Sequence, residues 1–177
     1  MKHVKRTIGF VTAVLVLAVT GLAAQAQPQF GGTWTLDPSQ SQFPARSGGA
    51  QGQTQQPQQP PVVKLLVEQN GTNFKVTRSM ARDNRERTYS QSFVADGSEN
   101  TRQGHHGSTT VSKATLGGDR LVTTSITTMP AKDGGQPRSF SRDSTWTVSP
   151  DGRTLTIDTV MHGPRGDKTM KTVYLKS

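Results

Sequence analysis

From Val62 to the C-terminus, apolar and polar residues alternate in short runs rather than recurring at helical spacing. Phe74, Val76 and Met80 share one parity while Lys75, Thr77 and Ser79 share the other, and Leu155, Ile157 and Met161 alternate in the same way with Thr154, Thr156 and Asp158. Such runs build strands with one dry and one wet face. Turn sequences separate them: QNGT at 69–72, ADGS at 95–98, LGGD at 116–119, KDGG at 132–135, SPDG at 149–152 and PRGD at 164–167. Asn-Gly, Asp-Gly and Gly-Gly supply the positive φ angles that tight hairpins require. The strands so bounded lie near 32–36, 62–69, 73–80, 87–94, 108–116, 120–129, 138–148, 153–161 and 168–176. Gly and β-branched residues interrupt every candidate helical stretch, which argues against a substantial helix.

A run of hairpins leaves open edges unless the sheet curls closed. The expected fold is therefore all-β, an up-and-down antiparallel meander barrel of about eight to ten strands. The outward positions carry Thr, Lys, Ser and Arg. An outer-membrane barrel would need an apolar band and aromatic girdles there, so that architecture is excluded.

The first 26 residues add a targeting signal: basic Lys2, Lys5 and Arg6, an apolar run from Ile8 to Val19, and the small-residue triplet Ala24-Gln25-Ala26. That layout is a secretory signal peptide cleaved after Ala26. The apolar run falls short of the roughly 20 residues of a membrane span, and no Cys is present for acylation. The reading is a signal peptide at 1–26 and one barrel domain at 27–177, periplasmic or secreted, with no stable membrane anchor. Within the domain, ARSGGAQGQTQQPQQP at about 45–60 has neither periodicity nor apolar anchors. It is expected to be a disordered loop.

Composition narrows the chemistry. Removing the leader lowers the formal charge from +9 by its three bases, and the remaining cations are scattered, without the stripe of bases and aromatics that nucleic acid requires. Nucleic acid is not an expected partner. The absence of Cys excludes disulfides and thiol chemistry, and a hydrophobic fraction of 31% implies a lean core. Gly104-His105-His106-Gly107, with Asp96 and Glu99 upstream and His162 downstream, is the most conspicuous polar cluster. Adjacent strand side chains point opposite ways, so this reads as a solvated loop and no metal site is expected. The segment RSMARDNRER at 78–87 alternates in charge like a self-compensated loop. Nucleophile elbows, phosphate loops and helical metal motifs are absent, so neither an enzyme nor a cofactor is expected.

The opening strand holds Gly32-Thr33-Trp34, a G-x-W pattern, and the stretches GTWTLDPSQSQF, SFVADGSE and STWTVSPDGRTLTIDTVMHGPRGDKTMKTVYLK follow across the chain. In these segments the sequence resembles a group of exported bacterial lipocalin-like proteins of the calycin class, whose roles are mostly unassigned. The resemblance implies a cup-shaped barrel in which Trp34 plugs the closed end, often against an Arg from a late strand. Arg142 is the candidate, because Phe140, Arg142, Ser144, Trp146 and Val148 share one strand face. It either closes the barrel over Trp34 or meets an anionic ligand group in a cavity, unless that face points outward. The candidate ligand-binding residues are Arg142, Trp146, Phe140 and Tyr89. The leading functional reading is an exported, non-catalytic binding protein for a small apolar or amphipathic ligand. The alternative is an exported interaction or inhibitor protein that uses a filled barrel as a scaffold.

Overall fold

The structure, a computed structural model, describes residues 28–44, 61–82, 85–131, 135–164 and 166–177. The expected signal peptide at 1–26 and the Gln/Gly/Pro-rich segment at 45–60 lie outside the described residues. Ten strands follow one another: β1 (Gly32–Leu36), β2 (Val62–Asn70), β3 (Asn73–Arg82), β4 (Arg85–Val94), β5 (Asp96–Gln103), β6 (Thr109–Gly117), β7 (Arg120–Met129), β8 (Arg138–Val148), β9 (Thr154–His162) and β10 (Lys168–Lys176). The described residues contain no α-helix, only a 3-10 turn at His105–Gly107. All ten strands form one antiparallel sheet in the order β4-β3-β2-β1-β10-β9-β8-β7-β6-β5. The expected up-and-down barrel is what forms.

The ring is nearly closed. β1 joins the two halves by pairing with both β2 and β10, with Trp34 opposite Leu65 on one side and Lys176 on the other. β4 and β5, the two ends of the order, share no ladder. The chain passes between them at Ala95, whose N–H donates to the Thr72 carbonyl at 2.8 Å and whose carbonyl accepts from Leu116 N–H at 3.0 Å. These bonds pin a buried corner, beyond which β4 and β5 share no backbone ladder.

The sequence reading makes 95–98 a simple turn and contains no strand over 96–103. In the structure this stretch is β5, paired with β6 from Asp96 to Gln103 around an irregularity between Asp96 and Glu99. Its sequence, DGSENTRQ, has no apolar alternation because its inward residues face a polar space, so the usual period-two signal is missing. The reading of 78–87 as a loop is likewise corrected: β3 runs through Arg82, and β4 starts at Arg85.

One end of the ring holds the core. The turns after β2, β6 and β8 lie at this end, and the side chains nearest them, among them Val67, Phe74, Leu121 and Leu155, are buried. Phe30 and Trp34 are both fully buried here. The Trp34 indole Nε1 donates to the Phe30 carbonyl at 2.9 Å, and the Phe30 ring meets Phe74 edge-on at 6.1 Å. Phe74 in turn stacks on Phe93 at 5.4 Å. Each such fully buried apolar side chain contributes about 1.5–3 kcal/mol relative to exposure. At the opposite end, Tyr89, Met129 and Phe140 are exposed, leaving the cup open.

Candidate functional site

The ring encloses a cavity of about 1330 Å³ that opens at the end away from Trp34. Strand parity sorts its lining. Near the core the wall is apolar, with Leu65, Val76, Trp146 and Ile157. Higher up, hydroxyls from Ser112, Thr123, Ser125, Ser144 and Thr159 replace carbon. Ser144 and Thr159 satisfy each other at 3.0 Å while buried. Four guanidinium groups, Arg78, Arg102, Arg138 and Arg142, also line the space.

The β8 face proposed from parity does point inward: Phe140, Arg142, Ser144 and Trp146 all line the cavity. Arg142 sits opposite Ser125 on β7 and Met161 on β9, with Nη2 3.9 Å from the Met161 sulfur. No ion pair holds it among the described residues. It does not lie over Trp34; that place belongs to Lys176, whose ammonium is 5.1 Å from the indole ring centre. The register explains the substitution, because Lys176 is directly opposite Trp34 whereas Arg142 belongs to a row nearer the mouth.

Trp146 is the deepest of the four candidate ligand residues, 7% exposed, and its Nε1 has no hydrogen-bond partner among the described residues. Phe140 stands at the mouth. Tyr89 lines the β4 wall, where its hydroxyl accepts a hydrogen bond from Arg102 Nη1 and its ring lies 5.3 Å below the same guanidinium. Tyr89 is also the register partner of Arg78. Burial pushes the Tyr174 phenol upward, opposed by a hydrogen bond with Thr172 and by the positive charge of Arg78. That influence places Arg78 and Tyr174 within electrostatic reach.

Sequence reasoning missed Arg78, Arg102 and Arg138 as cavity residues. For Arg78 the signal was present, since it has the parity of Phe74 and Val76; the charge alternation around it pointed to a loop. Phe43 was missed as well. Asp37 ends β1 by accepting from Ser39 N–H at 2.9 Å, and an isolated bridge between Gln42 and Lys171 then carries the chain along β10 to leave Phe43 on the cavity lining.

The histidines are not brought together. His105 and His106 occupy the exposed turn between β5 and β6, with His106 at φ 56°. His162 instead lies between two carboxylates, Nε2 3.1 Å from Asp143 and Nδ1 2.9 Å from Asp167. Hydrogen bonds to Asp167 and then Asp143 raise its pKa above the usual imidazole value. Among the described residues no group of three or more His, Asp or Glu side chains is placed to hold a metal ion.

Solved structures share this architecture. Zebrafish ileal bile acid-binding protein complexed with cholic acid aligns with a TM-score of 0.52 at 14% identity, over 84% of this chain and 98% of that one. Secretory abundant heat soluble protein 4 from Ramazzottius varieornatus aligns with a TM-score of 0.53 at 18% identity, over 86% and 97%. The fold is a lipocalin-like barrel. A protein described as the REP1-NXSQ fatty acid transporter aligns with the same barrel at a TM-score of 0.50 and 12% identity, over 83% of this chain and 95% of that one. No family model and no curated protein matches the sequence. At these identities the likeness concerns the lipocalin-like fold alone.

Proposed function

We propose that this chain is an exported lipocalin-like binding protein for a small amphipathic acid, acting by binding and release without catalysis. The observation that carries the reading is the gradient along the cavity wall, from Leu65, Val76, Trp146 and Ile157 to guanidinium groups that have no ion-pair partner among the described residues. An apolar body entering the deep end gains about 25 cal/mol per Å² of apolar surface removed from water. Its acidic group meets Arg142, whose planar fork suits a carboxylate. Because Arg142 is exposed to the open cavity, that pairing is modest and weakened by salt.

Trp146 supports the same reading. Its indole, buried at the deep end of the wall, offers carbon against which an apolar ligand body packs. The size of the cavity favours a ligand binder over the filled scaffold of an inhibitor. The bile acid and the fatty acid named for two of the solved barrels belong to the same chemical class, amphipathic acids. Export rests on the basic start, apolar run and Ala24-Gln25-Ala26 triplet.

The test is a tryptophan-fluorescence titration of the exported chain with dodecanoate, run beside native mass spectrometry of protein purified from its own host. Expected are saturable binding that Arg142→Gln weakens by up to about fivefold, the loss of one exposed charge-assisted pairing, and a retained ligand seen as added mass. No saturable binding together with no added mass would overturn the proposal.

A further inference from the structure

The cavity carries more positive charge than one acid needs. Among its described lining residues Glu99 is the only carboxylate, against four arginines and Lys113 and Lys168. The arginines are also divided between walls. Arg138 and Arg142 project from β8, while Arg78 comes from β3, which in the strand order lies five positions from β8 in either direction round the ring. Arg78 thus belongs to the wall across the ring from the strand that carries Arg142. Arg102, on β5, borders the opening between β4 and β5 and is tied to Tyr89, the register partner of Arg78.

The Tyr89 contact prepares Arg102 for a ligand. A guanidinium has five N–H donors, and the phenol hydroxyl takes one of them. This hydrogen bond and the neighbouring ring restrain the side chain, so less conformational entropy is lost when the remaining donors meet an anion. Neither Arg78 nor Arg102 makes an ion pair among the described residues, so a ligand acid there competes with no internal carboxylate.

We infer that the cavity takes a ligand with two acidic groups at the ends of an apolar body, one on Arg142 and the other on the Arg78–Arg102 pair. This rests on the binding function proposed above and names its ligand class. Strands spaced about 4.8 Å apart and tilted about 40° make a ten-strand ring roughly 20 Å across. Two opposed arginine side chains occupy much of that span. A medium-length chain bridges the remainder, and the hydroxyls of Ser112, Ser125 and Thr123 tolerate polar atoms along it.

The deciding experiment is isothermal titration calorimetry with paired ligands, octanoate to hexadecanoate against octanedioate to hexadecanedioate. The wild-type chain, Arg142→Gln and the double variant Arg78→Gln/Arg102→Gln are compared at low and physiological salt. In at least one length the diacid is expected to bind the wild type about tenfold more tightly than the monoacid. The double variant should bring the diacid down to the monoacid level while lowering monoacid affinity by much less than diacid affinity, the small shared loss being the weaker positive field of the cavity and the retained monoacid binding reporting an intact cavity. Arg142→Gln should weaken both. Equal affinities for mono- and diacids at every length, or a double variant that binds the diacid as the wild type does, overturns the two-acid inference and leaves the simpler binding function standing. If no ligand of either series binds the wild type, both fall.

Discussion

The ammonium of Lys176, on the last strand, lies 5.1 Å from the ring centre of Trp34, on the first, and the two residues are register partners. The pair therefore joins the beginning and end of the barrel over its most deeply buried tryptophan. Replacing Trp34 by Ala opens a hole in packed surroundings and should cost about 3–5 kcal/mol, a large part of a domain's total stability of about 5–15 kcal/mol. Lys176→Met keeps the aliphatic stem and removes only the charge, at about 0.5–1 kcal/mol. Trp146→Ala should cost less than Trp34→Ala, because Trp146 already borders open space on one side. Urea melts of the three variants check the order; a Trp34→Ala protein within about 1 kcal/mol of wild type would remove the plug from the description.

Tyr89→Phe isolates the side-chain tie between β4 and β5. The ring remains, while the acceptor for Arg102 is lost. Global stability should change by less than about 1 kcal/mol, as for an exposed substitution. Amide exchange along β4 and β5 should nonetheless quicken, because no backbone ladder holds these edges together. Unchanged exchange in both strands would show that the tie does not restrain them.

His162 makes stability pH-dependent at the mouth. As imidazolium it donates from both nitrogens, to Asp143 and to Asp167. The neutral ring has one N–H, so one carboxylate then faces a lone pair. Since the folded-state pKa is raised above the usual imidazole value of 6.5, the contribution is fully present below that value and is lost as pH rises through the higher, folded-state one. Thermal melts should show Tm falling over this window, with the fall abolished in His162→Gln. A wild-type profile parallel to that of the variant would refute the assignment.

Export predicts a defined N-terminus. Cleavage after Ala26 leaves a chain beginning at Gln27, which N-terminal sequencing of secreted or periplasmic material checks directly. Material beginning at Met1 in those fractions would contradict it.

Deleting residues 45–60 tests the second sequence-based expectation. Their Gln, Gly and Pro content gives no apolar anchor, so Tm should be nearly unchanged. A large loss of stability would mean that the segment packs on the barrel.

What could be read from the sequence followed the distribution of carbon. Strands whose inner residues enter the core, such as β3 with Phe74 and Val76 or β9 with Leu155 and Ile157, alternate visibly and were placed within a few residues. β5 has Ser98, Asn100 and Arg102 on the cavity lining and carries no such signal. The candidate site divided in the same way. Arg142 stood out because Phe140 and Trp146 flank it at the same parity, whereas Arg78 was hidden by the charges that follow it. The partner of Trp34 was misassigned for a different reason: which late residue lies opposite it depends on the β1–β10 register, a pairing across nearly the whole chain that no local pattern encodes.

The corner at Ala95 has a consequence for connectivity. Every ladder but one joins strands adjacent in the chain, and the exception is β1 with β10, which brings Ser177 N–H to within 2.9 Å of the Thr33 carbonyl. A circular permutant that links the C-terminus to the start of β1 and begins at β5 would pair each strand only with its immediate predecessor and successor. Its average contact would span fewer residues, so its folding should be faster than that of the natural order. The natural chain instead completes its sheet by a long-range pairing of its terminal strands, and the place where it could most simply have been cut is where the ring has no stitch.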